Sequence, residues 1–124
     1  MRQITYALGL LIFLILTSFS CNSQSQQNMR HEFVKRGKHV NEMTLGNYVI
    51  LAVFKSESNA KQMVDEVQKS GYKEASYGYL TNKESWYIYI KSTNDRDIED
   101  VKTIRDKYRK IEQFKYAWLL TVHE

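Results

Sequence analysis

The chain has no proline and a single cysteine among its 124 residues. One thiol excludes an internal disulfide, so the fold must be held by packing and hydrogen bonds, and Cys21 must have another use. The lack of proline excludes a proline-rich linker. Histidine is scarce as well: His31 and His39 are incidental members of a polar stretch, and His123 sits at the chain end. Catalysis therefore has little to work with, because an acid or base needs a partner that orients it. Acids such as Asp65, Glu66, Glu99 and Asp100 lie along expected helices whose other face is core. The formal charge of +4 falls well short of the dense Lys/Arg footprint of a dedicated nucleic-acid binder. A chain of this length has room for about one domain.

What is present begins with an address. The opening "MRQITYALGLLIFLILTSFSC" has one cation, Arg2, an apolar core from Ala7 to Leu16, and small or hydroxyl residues before Cys21. Charge, length and flank are those of a secretory signal peptide. The apolar core is too short for a membrane span, which needs about 20 residues. The cysteine stands where a signal peptidase would cut, and the segment resembles a bacterial lipoprotein signal in which Cys21 is acylated. Removing residues 1–20 takes away Arg2 and no acid, leaving +3. Residues 21–46, rich in Gln, Asn and Ser and then in Arg30, Lys35, Arg36 and Lys38, read as a tether.

From Asn47 the pattern is regular. "NYVILAVFK" is a nearly continuous apolar run, the signature of a central strand. Ser56 is a helix cap, Ala60, Met63, Val64 and Val67 follow at helical spacing, and Gly71 closes the helix. "KEASYGYL" gives a weaker strand, "TNKES" a turn and "WYIYIKS" a second strong strand. Asp95 offers a cap, and Ile98, Val101, Ile104, Tyr108 and Ile111 form one apolar helical stripe before the closing strand "KYAWLLTV". The order βαββαβ predicts an α+β, ferredoxin-like fold: a four-stranded antiparallel sheet with two helices on one face. Alternation then sends Ile88, Ile90, Val49, Leu51 and Val53 toward the helices. Tyr87, Tyr89, Ile50 and Ala52 go to the helix-free side. The side taken by Trp118 stays open.

"YVILAVFKSESNAKQMVDEVQKSGY", "WYIYIKSTNDRDIEDVKTIRDKY" and the closing "YAWLL" together resemble the SPOR (sporulation-related repeat) domain, in the variant found in Bacteroidetes envelope lipoproteins. The resemblance spans residues 47–122. It implies a non-catalytic module that binds peptidoglycan glycan strands stripped of their stem peptides, enriched at division sites, with no cofactor. The implied contact surface is the open sheet face, with Ile50, Ala52, Tyr77, Tyr79, Tyr87, Tyr89 and Lys91 in it. Ile50 replaces a glutamine common in the family, and Tyr87 and Tyr89 replace basic residues. Tyrosine suits a sugar ligand because its ring lies on C–H patches while its hydroxyl stays wet. Ser76 and Asn82 stand near the rim. The expected location is the periplasm, with the chain lipid-anchored to the inner leaflet of the outer membrane.

Two other functions fit parts of the pattern. The same tyrosines could dock a protein subunit of an envelope secretion or motility complex, or serve only as cross-strand packing. Aromatics on a four-stranded sheet also stack bases in RNA-binding modules, but the secretion signal argues against a nucleic-acid partner.

Overall fold

The run GNYVILAVF makes the longest strand because β-branched and aromatic residues suit a pleated surface covered on both sides. In the computed structural model, which describes residues 30–93 and 97–124, it is one of five strands. The order is β1 (His31–Lys35), β2 (Gly46–Phe54), α1 (Glu57–Lys69), β3 (Ser76–Leu80), β4 (Ser85–Lys91), α2 (Ile98–Arg109) and β5 (Trp118–His123). The expected signal peptide, Cys21 and the expected tether as far as residue 29 lie outside the described residues.

Local chemistry sets the helix ends. Ser56 Oγ accepts from the Asn59 amide at the start of α1. Beyond its last residue Gly71 takes φ 109°, a left-handed conformation that glycine adopts without Cβ strain. The cap of α2 is Asp97, which accepts from the Glu99 amide. Asp95 lies outside the described residues.

The sheet runs β1-β5-β2-β4-β3. It is mixed, because β1 lies parallel to β5 while the other neighbours are antiparallel. The expectation of four antiparallel strands is thus corrected to a five-stranded mixed sheet, whose added strand, His31–Lys35, falls in the stretch expected as tether. Residues 31–46 read as tether because only Val34 of β1 is buried, too little to register as an apolar pattern.

Both helices contribute to one core with Val49, Ile88, Ile90 and Leu119, through Ala60, Val64 and Val67 of α1 and Val101 and Tyr108 of α2. The far side carries a second core of Tyr48, Ile50, Tyr87, Trp118, Leu120 and Val122, joined by Val34, Leu80 and Met43. Among the described residues no helix covers that side. Its cover is residues 36–45, a strap that leaves β1 and pairs with the outer edge of β3. There the Tyr79 amide donates to Asn41 O at 2.9 Å and the Met43 amide to Tyr79 O at 3.0 Å. The strap then returns to the middle of the sheet at Gly46. Twist, which every sheet has, brings the two outermost strands together at one corner, where Asn82 Nδ2 donates to Lys35 O at 2.9 Å.

The β1 edge carries a pH-sensitive contact. His31 and Thr121 are hydrogen-bonded at 2.8 Å, and Thr121 donates onward to Asn47 Oδ1 at 2.6 Å. Burial, and then the charges of Lys102 and Arg105, hold the imidazole pKa below its ordinary value. The unfolded chain therefore binds the His31 proton more readily than the folded one. The stability this site contributes is complete above about pH 6.5 and is lost as the pH falls from there toward the folded pKa. Urea midpoints measured from pH 7.5 to 5.5 should fall, and His31→Gln should flatten that part of the profile. An identical slope in the variant would place the titration elsewhere.

Candidate functional site

The seven residues expected on one open surface are divided by the structure. Ile50 and Tyr87 do lie on the helix-free side, but at 0% and 5% exposure they are core. Tyr89 is half-buried there and meets the Tyr48 ring edge-on at 4.7 Å. Lys91 Nζ donates to Thr44 Oγ1 at 2.9 Å and stands 5.7 Å from the centroid of the Tyr48 ring. Ala52 is on the helix side, packed against the first core. A bulge between Ile50 and Ala52 inserts one residue and reverses the parity of the rest of β2. Val53 consequently points away from the helices and is 43% exposed.

Tyr77 and Tyr79 are also on the helix side, a second correction. In an antiparallel ladder directly opposed residues share a face. Tyr77 pairs with Ile88 and Tyr79 with Trp86, whereas Gly78 opposes Tyr87. Gly78 belongs to the far side for a steric reason: a Cβ there would meet Met43 Cγ at 2.8 Å. The side chain that would have alternated outward is replaced by the strap. Trp118 is far-side core, edge-on to Tyr87 at 6.2 Å.

The aromatic surface that remains follows the outer edge of β3. Trp86 is its buried floor. The Tyr79 ring lies 4.9 Å and the Tyr77 ring 5.8 Å from that of Trp86, and both tyrosines are half-buried. His39 comes from the strap onto the same cluster, 4.4 Å from Tyr79 and edge-on to Trp86 at 5.6 Å. The Asn41 amide donates to His39 Nδ1 at 2.9 Å, which leaves the neutral ring's proton on Nε2. Lys61, paired with Glu57 at 3.1 Å, stands beside Tyr77. His39 looked incidental in the sequence because its neighbours arrive through tertiary contacts; nothing local marks it.

Glu42 fixes the strap that delivers His39. Its carboxylate accepts from the Gly37 amide at 3.0 Å, the His39 amide at 3.3 Å, the Thr81 amide at 3.1 Å and the Thr81 hydroxyl at 2.5 Å. Burial acts to raise its pKa. The hydrogen bonds from the Thr81 side chain and from the Gly37, Thr81 and His39 amides outweigh this and hold the carboxyl below its ordinary value. Gly37 makes the close approach possible, since a Cβ there would meet Thr81 Cβ at 2.5 Å.

Among the described residues no three His, Cys, Asp or Glu side chains are placed to hold a metal ion. A depression of about 200 Å³ on α1, lined by Phe54, Asn59, Gln62, Met63 and Glu66, holds neither a histidine nor a nucleophile. The groups at the β3 edge are suited to contact: flat rings, a donor at His39 Nε2 and nearby cations. Comparison of the chain with protein-family models, with curated proteins and with solved structures finds no match.

Proposed function

We propose that this chain is a non-catalytic, lipid-anchored envelope module that contacts denuded peptidoglycan glycan strands in the periplasm. Its contact surface is the aromatic edge of β3 rather than the far side of the sheet. We read the unit from β2 to β5, with spatial order β5-β2-β4-β3, as a SPOR-like, ferredoxin-like core to which β1 and the strap have been added. The anchor is an acylated Cys21 after loss of residues 1–20, on the inner leaflet of the outer membrane. The observation that carries the reading is the pairing of half-exposed Tyr77 and Tyr79 with His39 over Trp86. Tyr77 and Tyr79 are two positions apart on one strand, about 7 Å along it, so successive sugars of one strand meet successive rings. Weak single contacts become effective because anchor and polymer hold the partners at high local concentration.

Pelleting of the full chain in neutral detergent with amidase-stripped sacculi tests this. Binding should be strong with stripped wall and weak with intact wall. The double variant Tyr77→Ala, Tyr79→Ala should fall to background while its far-ultraviolet circular dichroism stays native. Equal pelleting of the variant, or no preference for stripped wall, would reject the proposal.

One observation favours a second reading, a protein-interaction module of an envelope secretion or motility complex. Phe33 is 66% exposed on the edge strand β1, and an edge strand offers unpaired backbone groups to another chain. Phe33→Ser distinguishes the two: it leaves wall pelleting intact under the first reading and removes co-purifying envelope protein under the second.

A further inference from the structure

The strap does more than close the far side. It carries Arg36 and Lys38 to the corner where β1 meets the turn after β3. There a Cβ on Gly37 would touch Thr81, and Asn82 holds the end of β1 through Lys35 O. Lys83 belongs to the same turn, Thr81–Lys83. Lys55, following β2, donates to Lys83 O at 3.4 Å and to Ser85 Oγ at 2.8 Å. Five exposed cations, Lys35, Arg36, Lys38, Lys55 and Lys83, are thereby gathered from three separate parts of the chain. Among the described residues the acids in reach are few. Glu42 is committed to the strap's own amides, Glu84 follows Lys83, and Glu124 follows the β5 residue opposite Lys35. Elsewhere, Lys61, Lys69, Lys102, Arg105 and Lys115 are each within 3.2 Å of a carboxylate.

This corner adjoins the aromatic edge. Lys38 precedes His39, Lys55 follows Phe54, which opposes Trp86, and Lys83 lies just beyond β3. A strand laid along Tyr77 and Tyr79 therefore runs into the cations. We infer that the corner of Lys35, Arg36, Lys38, Lys55 and Lys83 is a carboxylate subsite for the glycan, an inference that rests on the glycan reading above. Hydrolysis of the amide that joins a stem peptide to the sugar leaves the lactyl carboxyl of the muramic acid free. A stripped strand thus carries one carboxylate on every second sugar, in the positions where peptides were. An apolar ring followed by a cation matches that alternation of sugar face and charge. An anionic membrane surface offers no such alternation of apolar face and charge, and it is the competing outcome of the test.

The test uses the full chain in neutral detergent and soluble glycan strands released by amidase, either untreated or with their carboxyls methyl-esterified. Esterification should weaken binding about tenfold, the cumulative effect of a few exposed ion pairs. The variant Arg36→Gln, Lys38→Gln, Lys83→Gln should bind untreated strands as weakly as the original chain binds esterified ones, and should be indifferent to esterification. Its thermal transition should match the parent, since all three side chains are exposed. Glycan binding that ignores both esterification and the variant would overturn the subsite and leave the aromatic edge standing. No binding to either kind of strand would overturn both. Binding to phosphatidylglycerol vesicles that the variant abolishes, with strand binding unchanged, would assign the corner to the membrane instead.

Discussion

Tyr87→Ala should destabilise the protein by about 3 kcal/mol, the scale for truncating a buried aromatic side chain. For a domain of this size that lowers the melting temperature by roughly 15 °C. Tyr87 is packed with Trp118, Ile50, Leu120 and Met43 in the far-side core, and a 5% exposed ring leaves a cavity when it is removed. Tyr89→Ala, one pleat along and half-buried, should cost clearly less. Thermal unfolding followed by circular dichroism separates the two. A melting temperature within a few degrees of the parent for Tyr87→Ala would mean that the strap does not close the far side. The ring would then be available to a ligand, as the sequence pattern alone suggests.

The second large effect belongs to Glu42→Ala, expected to cost about 3 kcal/mol. Three backbone amides and a hydroxyl lose a charged acceptor at once, and a hydrogen bond to a charged group is worth about 1.5–3 kcal/mol. Water admitted to the corner recovers part of that. Glu42→Gln keeps one acceptor oxygen and should fall between. Acid acts on the same group. The folded carboxyl sits below its ordinary value of 4.5, so its stabilisation is present above that value and is lost as the pH falls through the folded pKa. Urea midpoints should show the parent losing stability below about pH 4.5 more steeply than Glu42→Ala. Equal steepness would mean that Glu42 is not what holds the strap. Removal of Met43 from Gly78 and of His39 from Tyr79 should accompany the stability loss, so under the glycan reading proposed above wall binding and stability fall together in this variant.

The sequence made some of this legible and hid the rest for physical reasons. Alternation in WYIYIK assigned Ile88 and Ile90 to the helices and Tyr87 and Tyr89 to the other side, as the register has it. Helix spacing found α1 and α2. Alternation gives the side of a sheet, however, and not what covers that side. The cover here is ten polar-looking residues whose buried members, Glu42 and Met43, have no periodic partner. Parity failed in β2 after Ile50 because the bulge is marked by no glycine or other local signal. It failed for Tyr77 and Tyr79 because the glycine between them makes room for Met43. β1 looks like tether in the sequence because its pairing with β5 is parallel and distant, and neither condition leaves a trace in five residues.

That pairing governs when the molecule can be finished. β5 lies between β1 and β2, and His31 bonds Thr121, 90 positions further along. Among the described strands, the first therefore has no neighbour in the sheet until the last has arrived. During synthesis, which runs from the N-terminus, β1 waits for its β5 partner while everything between them emerges, and the six residues of β5 complete two ladders at once. Contacts of such long range slow folding. They also tie completion of the sheet to delivery of the C-terminus, so a chain that stops short of Trp118 forfeits both of its last-formed ladders.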